Sequence, residues 1–411
     1  MRAVIAGAGI GGLTTALSLH AAGVEASVVE GGPRVGRLGV GINLLPHAVR
    51  ELTELGLGDA LAATAIPTGE MVHFDRHGGR IWGEPRGRAL GYDWPQYSIH
   101  RGDLQQLLHE AVRSRLGDVV RTGVSLTSFE QSTGGVRALL TGEKTVEADV
   151  LVGADGLHSR VRAQLHPGEP PPLWNGIRMW RGVAEGDPVL SGRTLAVAGS
   201  NTRAKFVVYP ISRPHEERGR ALLNWVAEVR LPDASAGPAE WDRTGSLDEV
   251  LPHYADWRFD WLDVPALIAG TERILQYPMV DRDPLPFWSQ GRVTLVGDAA
   301  HPMYPIGSNG GSQAILDARV LAYELARSPS VTEGLTAYDK ARREQVNAIV
   351  LANREMPADR VLHTVAERAP DGFARIEDVL GPAELATITG AYKQTSFADV
   401  ETLNTRPSWT P

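Results

Sequence analysis

Six residues near the start of the chain constrain its fold more than any others: Gly7-Ala8-Gly9-Ile10-Gly11-Gly12. They fit Gly-x-Gly-x-x-Gly. They lie between a short apolar run at residues 3–6 and a segment at 13–22 whose Leu13, Ala16, Leu17 and Ala21 share one helical face. Gly23 is a helix-ending glycine, and residues 26–29 read as the next strand, with Glu30 at its tip. The pattern predicts a βαβ unit. Its physical logic suits a dinucleotide: Gly7 permits the turn, Gly9 lets the backbone approach a pyrophosphate, and Gly12 lets strand and helix pack closely. The helix N-terminus offers free N–H groups and the positive end of its dipole. Glu30, 18 residues beyond Gly12, is placed to bond ribose hydroxyls. The bland alternative is a glycine-rich turn without a ligand, and the flanking strand, helix and acid argue against it. An acid at this position favours an unphosphorylated ribose, so spacing alone leaves both FAD and NAD open.

Further helices are predicted at 45–55, 102–116, 312–326 and 331–353, and strands at 150–153 and 293–296. A hairpin is predicted from 71–74 and 80–82 around His77-Gly78-Gly79. Between about 173 and 277 the chain turns to longer β-type runs, at 176–184, 195–198, 205–209 and 222–229. Aromatics concentrate there: Trp174, Trp180, Phe206, Tyr209, Trp225, Trp241, Trp257 and Trp261. These predict an antiparallel sheet in a second domain. Residues 396–411, with few apolar side chains, read as a tail that hugs the surface or is disordered.

Composition removes several chemistries. With no cysteine in the chain, thiolate nucleophiles, Fe–S clusters, cysteine-based zinc sites and disulfides are excluded. A formal charge of −8 argues against nucleic acid as a partner. No apolar stretch approaches the length of a membrane helix, and the glycines of residues 7–23 fit a tight turn better than a secretory leader, so a cytoplasmic location is expected. His73-Phe-Asp75 matches the start of an iron facial triad, but among 12 histidines a chance match is the better explanation. No metal is expected.

Two later segments decide between the nucleotides by resemblance. Asp149-Val-Leu-Val-Gly-Ala-Asp155-Gly156-Leu-His-Ser159-Arg160-Val-Arg162 resembles a motif of the class A flavoprotein aromatic hydroxylases, the salicylate and p-hydroxybenzoate hydroxylase-like enzymes. Gly291-Arg-Val-Thr-Leu-Val-Gly297-Asp298-Ala299-Ala300-His301 resembles their second FAD fingerprint, continued by Pro305-x-Gly307-x-x-Gly310-Gly311. Leu38-Gly39-Val40-Gly41-Ile42-Asn43, Tyr97-Ser-Ile-His100-Arg101, Met179-Trp180-Arg181-Gly182-Val183 and the run 276–286 extend the likeness to the phenazine-carboxylate monooxygenase branch. The likeness spans nearly the whole chain and weakens beyond about Met356.

The resemblance implies an α/β architecture. A discontinuous Rossmann-like FAD-binding domain would comprise 1–66, 98–170 and 278–345. An inserted antiparallel-sheet substrate domain would comprise 67–97 and 171–277, and C-terminal helices and a tail 346–411. It implies non-covalent FAD, with Asp298 on the ribityl chain, Arg101 on the FAD side, and Leu38, Gly39 and Val40 beside the ring. Val29, Gly31, Val124, Asp155, Gly156, Gly297, Pro305, Gly307, Gly310 and Gly311 are assigned to the same cofactor. Gly41, Trp180, Val208, Tyr209, Trp225 and Tyr304 are expected to line the substrate pocket, although for Trp225 taken singly a core position is the better bet. Tyr209, Tyr304, His100 and His301 are candidates for touching the ring or flavin, the first two and His301 for catalytic contact, with a structural role the better single bet for each. Arg178, Arg203 and Lys205 are candidates to pair with a substrate carboxylate. The reaction implied is NAD(P)H- and O2-dependent hydroxylation of a small aromatic or fused N-heteroaromatic acid through a flavin C4a-hydroperoxide, with decarboxylation where the attacked carbon bears the acid. NADH or NADPH would dock transiently, since no second Rossmann unit is visible. A homodimer is open to such a chain. Two other readings stay open: an FAD reductase or dehydrogenase that inserts no oxygen, and a non-catalytic flavin-binding protein.

Overall fold

The computed structural model describes residues 1–36, 39–231, 243–356, 359–396 and 399–410, so Leu38 and Trp241 lie outside the described residues. A six-stranded sheet forms the first layer. Its spatial order is Ser289–Gln290, Val293–Leu295, Val150–Gly153, Arg2–Ala6, Glu25–Glu30 and Val120–Thr122. Every neighbouring pair is parallel except the first, an antiparallel edge. Arg2–Ala6 is central, and all its residues after Arg2 are buried, as a strand covered on both faces requires.

The glycine loop behaves as its spacing predicts. A β-carbon on Gly12 would lie 1.9 Å from the carbonyl oxygen of Gly7, so strand and helix could not approach as they do. A β-carbon on Gly9 would meet nothing within 4 Å, because this part of the loop faces open space. Helix Ile10–Ala21 starts at that point and packs against Asn309–Arg327, with the α-carbon of Gly11 close under Ala314.

The second layer is a seven-stranded sheet ordered Leu275–Asp281, Leu173–Gly186, Ala221–Arg230, Ala204–Pro210, Thr194–Ser200, Glu70–Phe74 and Arg80–Pro85. It is antiparallel apart from Thr194–Ser200 against Glu70–Phe74. That parallel pair arises because the early hairpin adds to the edge of a sheet built mainly from later sequence. One face of this sheet carries a core of Phe206, Val208, Trp225 and Trp180 under Tyr254, Trp257 and helix Val264–Ala269. The other face looks towards the parallel sheet.

The C-terminal stretch is more ordered than a polar composition suggests. Val400–Thr405 is helical, Leu403 is buried, and Arg406 pairs with Glu51 at 2.5 Å. Glu51 is itself buried and also pairs with Arg319 at 3.1 Å. Arg50 donates to the carbonyls of Leu403 and Arg406. The polar side chains are the fastener here, and a count of apolar residues could not register it.

Candidate active site

Between the two sheets lies a cavity of about 340 Å³. The segments that wall it are far apart in sequence: Gly9 to Gly11, Gly41 to Asn43, Arg101, Gly156, the turn at Gly297-Asp298, and Pro305 to Gly311 on one side. Met179, Arg181, Lys205, Val207, Tyr209, Val226, Glu228 and Tyr277 supply the sheet side.

Two helix N-termini open onto this space, those of Ile10–Ala21 and Asn309–Arg327. Neither has an acidic residue in its first turn or a side-chain cap, so their leading N–H groups are available to an anion or a flavin carbonyl. Ser308, the residue before the second helix, is held at φ +61°, a left-handed conformation that is uncommon outside glycine and that clusters at functional sites. The segment from Gly39 into strand Gly41–Leu44, which pairs with Gln96–His100, faces that helix start, with Ile42 Cδ1 3.9 Å from where a β-carbon on Gly311 would sit. The segment is fixed from the larger sheet: Asn224 Oδ1 accepts from Gly41 N at 2.6 Å, and Arg181 donates to the Gly41 carbonyl at 2.6 Å.

Asp298 and Arg101 both line the cavity, and among the described residues neither side chain forms a hydrogen bond or ion pair. Burial pushes the Asp298 carboxyl up, opposed by His301 and by the Arg101 guanidinium. Burial lowers Arg101, opposed by Asp298. Two charged groups held half-buried without partners fit a polar cofactor between them. With an open glycine loop, two uncapped helix starts and this pair, the residues present fit FAD.

Glu30 does more than wait for a ribose. Its carboxylate accepts from Ala8 N at 2.8 Å and Gly32 N at 2.7 Å, so it also ties the strand tip to the loop. Val124 N bonds the Glu30 carbonyl, and Gly7 N the Val29 carbonyl. Gly31 packs close to Ser125. Asp155 does not wall the cavity. It accepts from Ser159 Oγ at 2.5 Å and Arg160 N at 2.7 Å, which fastens the start of helix Arg160–Leu165.

The substrate side corrects three expectations through strand parity. Successive side chains alternate between faces, so Met179 and Arg181 face the cavity while Trp180 faces away. Likewise Lys205, Val207 and Tyr209 face in and Val208 faces out. Trp225, opposite Val208 across the strand pair, stacks on Phe206 at 5.9 Å and donates to Thr271 Oγ1 at 2.8 Å in the outer core. Trp180, Val208 and Trp225 are therefore core residues.

His301 and Tyr304, candidates for catalytic contact, do not wall the cavity. His301 Nε2 lies 2.5 Å from Asp317 Oδ2, behind the turn that carries Asp298. The same carboxylate oxygen accepts from Gly297 N at 3.0 Å, and Arg342 bonds its other oxygen at 3.0 Å. His301, Asp317 and Arg342 thus brace the Asp298 turn. Tyr304 packs with Ile177, Met279 and Tyr277, and its carbonyl accepts from Asn353. Tyr209 is not at a rim: it is 4% exposed and hydrogen-bonded to Arg181, which also meets Tyr277 Oη at 2.5 Å. Arg178 and Arg203 do not line the cavity, whereas Lys205 does.

Sequence reading passed over Arg181 in favour of its neighbour Trp180, and it passed over Asp317. A lone acid within the apolar run Ala314-Ile-Leu-Asp317-Ala was the available signal. His73 walls the cavity while Asp75 accepts from His77 N and Gly79 N in the hairpin loop, so the two serve separate ends. Among the described residues no His, Asp and Glu side chains cluster as metal ligands, and no helix is long and apolar enough to cross a membrane.

Comparison with known proteins agrees with this geometry. The model of the FAD binding domain family matches residues 1–235 and 278–353. Phenazine 1,6-dicarboxylic acid hydroxylase of Lysobacter antibioticus is 51% identical over 401 residues, 95% of this chain and 96% of that protein. A 3-hydroxybenzoate 6-hydroxylase of Aquipseudomonas alcaligenes is 33% identical, over 82% of this chain and 84% of its own. The fold matches the crystal structure of Klebsiella pneumoniae HpxO complexed with FAD and uric acid, with a TM-score of 0.74 at 24% identity over 98% of this chain and 95% of that one. The chain belongs to the FAD binding domain family, as an FAD-dependent aromatic monooxygenase using NAD(P)H and O2.

Proposed function

We propose that this monooxygenase hydroxylates a planar, fused-ring heteroaromatic acid of the phenazine carboxylate type. The observation that carries the reading is the cavity itself. It is a slot between strand Gly41–Leu44, the Gly310-Gly311 helix start and a sheet face that combines Met179, Val207 and Val226 with the cations Arg181 and Lys205. Apolar walls suit a planar ring and buried cations suit its carboxylate. The similarity to a phenazine dicarboxylate hydroxylase supports the same substrate class.

FAD, when bound, supplies the hydride acceptance and oxygen activation. The chain's own residues bind, orient and exclude water. Arg181 holds Gly41 in place, Tyr209 presents a hydroxyl that stays protonated because burial pushes it up to about 12, and Asp298 and Arg101 would hold the cofactor on its ribityl side, near the reacting ring. Decarboxylation accompanies hydroxylation where the attacked carbon bears a carboxylate. The reading includes a cytoplasmic location, where NAD(P)H is available as the reductant.

The test is NADH and NADPH oxidation and O2 uptake across phenazine, salicylate and quinoline acids, with products identified by mass. Phenazine acids should stimulate oxidation and yield product carrying oxygen from O2. NADH oxidation that no aromatic acid stimulates, with little peroxide and no hydroxylated product, would instead point to a reductase that inserts no oxygen.

A further inference from the structure

Strand Ala204–Pro210 gives the cavity a length. Tyr209 marks the end near Gly41, through Arg181. Lys205 lies four residues back on the same face, about 13 Å away at roughly 3.3 Å per residue. The cavity therefore has a far end, remote from the segment that flanks the flavin ring.

That far end is built from buried charge. Lys205 is 4% exposed and pairs with Asp359 at 2.7 Å and Glu228 at 3.0 Å. Asn201 Nδ2 holds the same Asp359 oxygen at 2.8 Å. An ammonium has three donors, and these two carboxylates leave one for the cavity that Lys205 lines. Beside it stands His73, 2% exposed, stacked on Trp82, with a buried Nδ1 that has no hydrogen-bond partner. Arg86 also lines this space. The two cations are each held by buried acids, Lys205 by Asp359 and Glu228 and Arg86 by Glu84 at 2.6 Å, and burial raises Glu228. A buried ring nitrogen without a partner, beside a lysine with one unused donor, receives an acceptor oxygen when the imidazole carries its proton on that nitrogen.

We propose that this end is a second carboxylate subsite, in which Lys205 and His73 take an acid group of the substrate remote from the ring that is oxidised. Asp359 and Asn201 act as positioning residues that keep the ammonium aimed. The subsite would select diacids over monoacids of the same ring system. Asp359 comes from the C-terminal segment, so that segment contributes to substrate choice as well as to packing.

The inference rests on the proposed substrate class. Its test measures the dissociation constants of phenazine 1,6-dicarboxylate and phenazine 1-carboxylate for the FAD-loaded protein, by perturbation of the flavin absorbance. The wild type should prefer the diacid by about tenfold. Lys205→Met should bring the ratio close to one. Because that change strands two buried carboxylates, His73→Leu, which leaves the ion pairs intact, is measured beside it and should also lower the ratio. A wild type that binds both acids equally, or a ratio that survives in His73→Leu and in any folded Lys205→Met, overturns the subsite and leaves the substrate class standing. If neither acid binds nor stimulates NADH oxidation, the substrate class fails and the subsite falls with it.

Discussion

Glu30 holds Ala8 directly, through a carboxylate oxygen 2.8 Å from the backbone N–H, and its second oxygen holds Gly32 N at 2.7 Å. A carboxylate accepts along about four lone-pair directions, so these bonds leave room for ribose hydroxyls. Glu30→Ala therefore removes two things, a ligand contact and a loop fastener. Charge-assisted bonds of this kind contribute about 1.5–3 kcal/mol, so the FAD dissociation constant should rise roughly 10- to 100-fold. Excess FAD should restore turnover, while the melting temperature of the FAD-free protein should still fall. Flavin fluorescence quenching and a thermal scan read the two effects separately. An unchanged FAD-free melting temperature would leave only the ribose role.

Asp298 behaves differently, because it braces nothing. It faces the cavity without a partner among the described residues. Asp298→Ala should leave the FAD-free protein as stable as the wild type and weaken FAD binding, and hydroxylation should stay slow at saturating FAD because the contact lies near the reacting end. Asp317→Ala removes the brace behind the same turn and should cost stability as well. Full recovery of rate by FAD in Asp298→Ala would move the residue out of the reacting end.

The cofactor should be bound without a covalent link. Acid precipitation should release all the yellow colour into the supernatant. Flavin retained on the denatured chain would overturn this, and with no cysteine available a histidine would have to carry it.

The parallel half was legible because its signals are backbone signals. The turn at Gly7 to Gly12 and the Gly297-Asp298 turn each need particular residue types where the chain bends and a ligand approaches. The sheet half was legible in its strands but not in its site. Trp180, Val208 and Trp225 were expected in the pocket on aromatic and apolar character, yet parity assigns the pocket to Arg181, Val207 and Val226. A sheet covered on both faces gives no hydropathy alternation to say which face is which. The alternation of Lys205, Val207 and Tyr209 against Phe206 and Val208 was readable; which set faced the flavin required the other sheet. His301, next to a fingerprint, turned out to be support for it, a role that depends on Asp317 sixteen residues later.

Acid should destabilise the protein earlier than its carboxylates alone would. Burial holds the His47 and His73 imidazoles neutral, down to about 3 in each case, with Arg342 and Arg406 adding to it at His47, and Arg86 and Lys205 at His73 against Asp359. The unfolded chain takes up those protons near pH 6.5. Folded-state values lie below the unfolded ones, so the stability is present above pH 6.5 and is lost as pH falls from 6.5 towards 3. Each histidine removes up to about 1.4 kcal/mol per pH unit in that window. Glu51 and Glu228, raised by burial, act in the opposite sense nearer the carboxylate range. Melting temperature should be flat from pH 7 to 8.5 and fall below about 6, and His47→Gln should flatten the fall. A profile indifferent to His47→Gln would place the acid lability elsewhere.

Tyr209 is both buried and cavity-lining, so burial cannot decide its role, but its partner can. Its hydroxyl bonds Arg181, and Arg181 holds the carbonyl of Gly41 beside the flavin site. The hydroxyl stays protonated up to about 12, so it serves as a neutral hydrogen-bonding group and not as a base. Tyr209→Phe deletes one bond to the guanidinium and should cost about 1 kcal/mol of stability. If that bond also sets Gly41 or meets the substrate, the fraction of NADH consumed as peroxide should rise severalfold while FAD affinity is kept. Arg181→Lys, which keeps a charge but loses the fork that reaches Tyr277 and Gly41 together, should raise the peroxide fraction further. A Tyr209→Phe protein that is less stable but fully coupled would assign the hydroxyl to the inter-sheet core. The substrate face would then rest on Arg181 and Lys205.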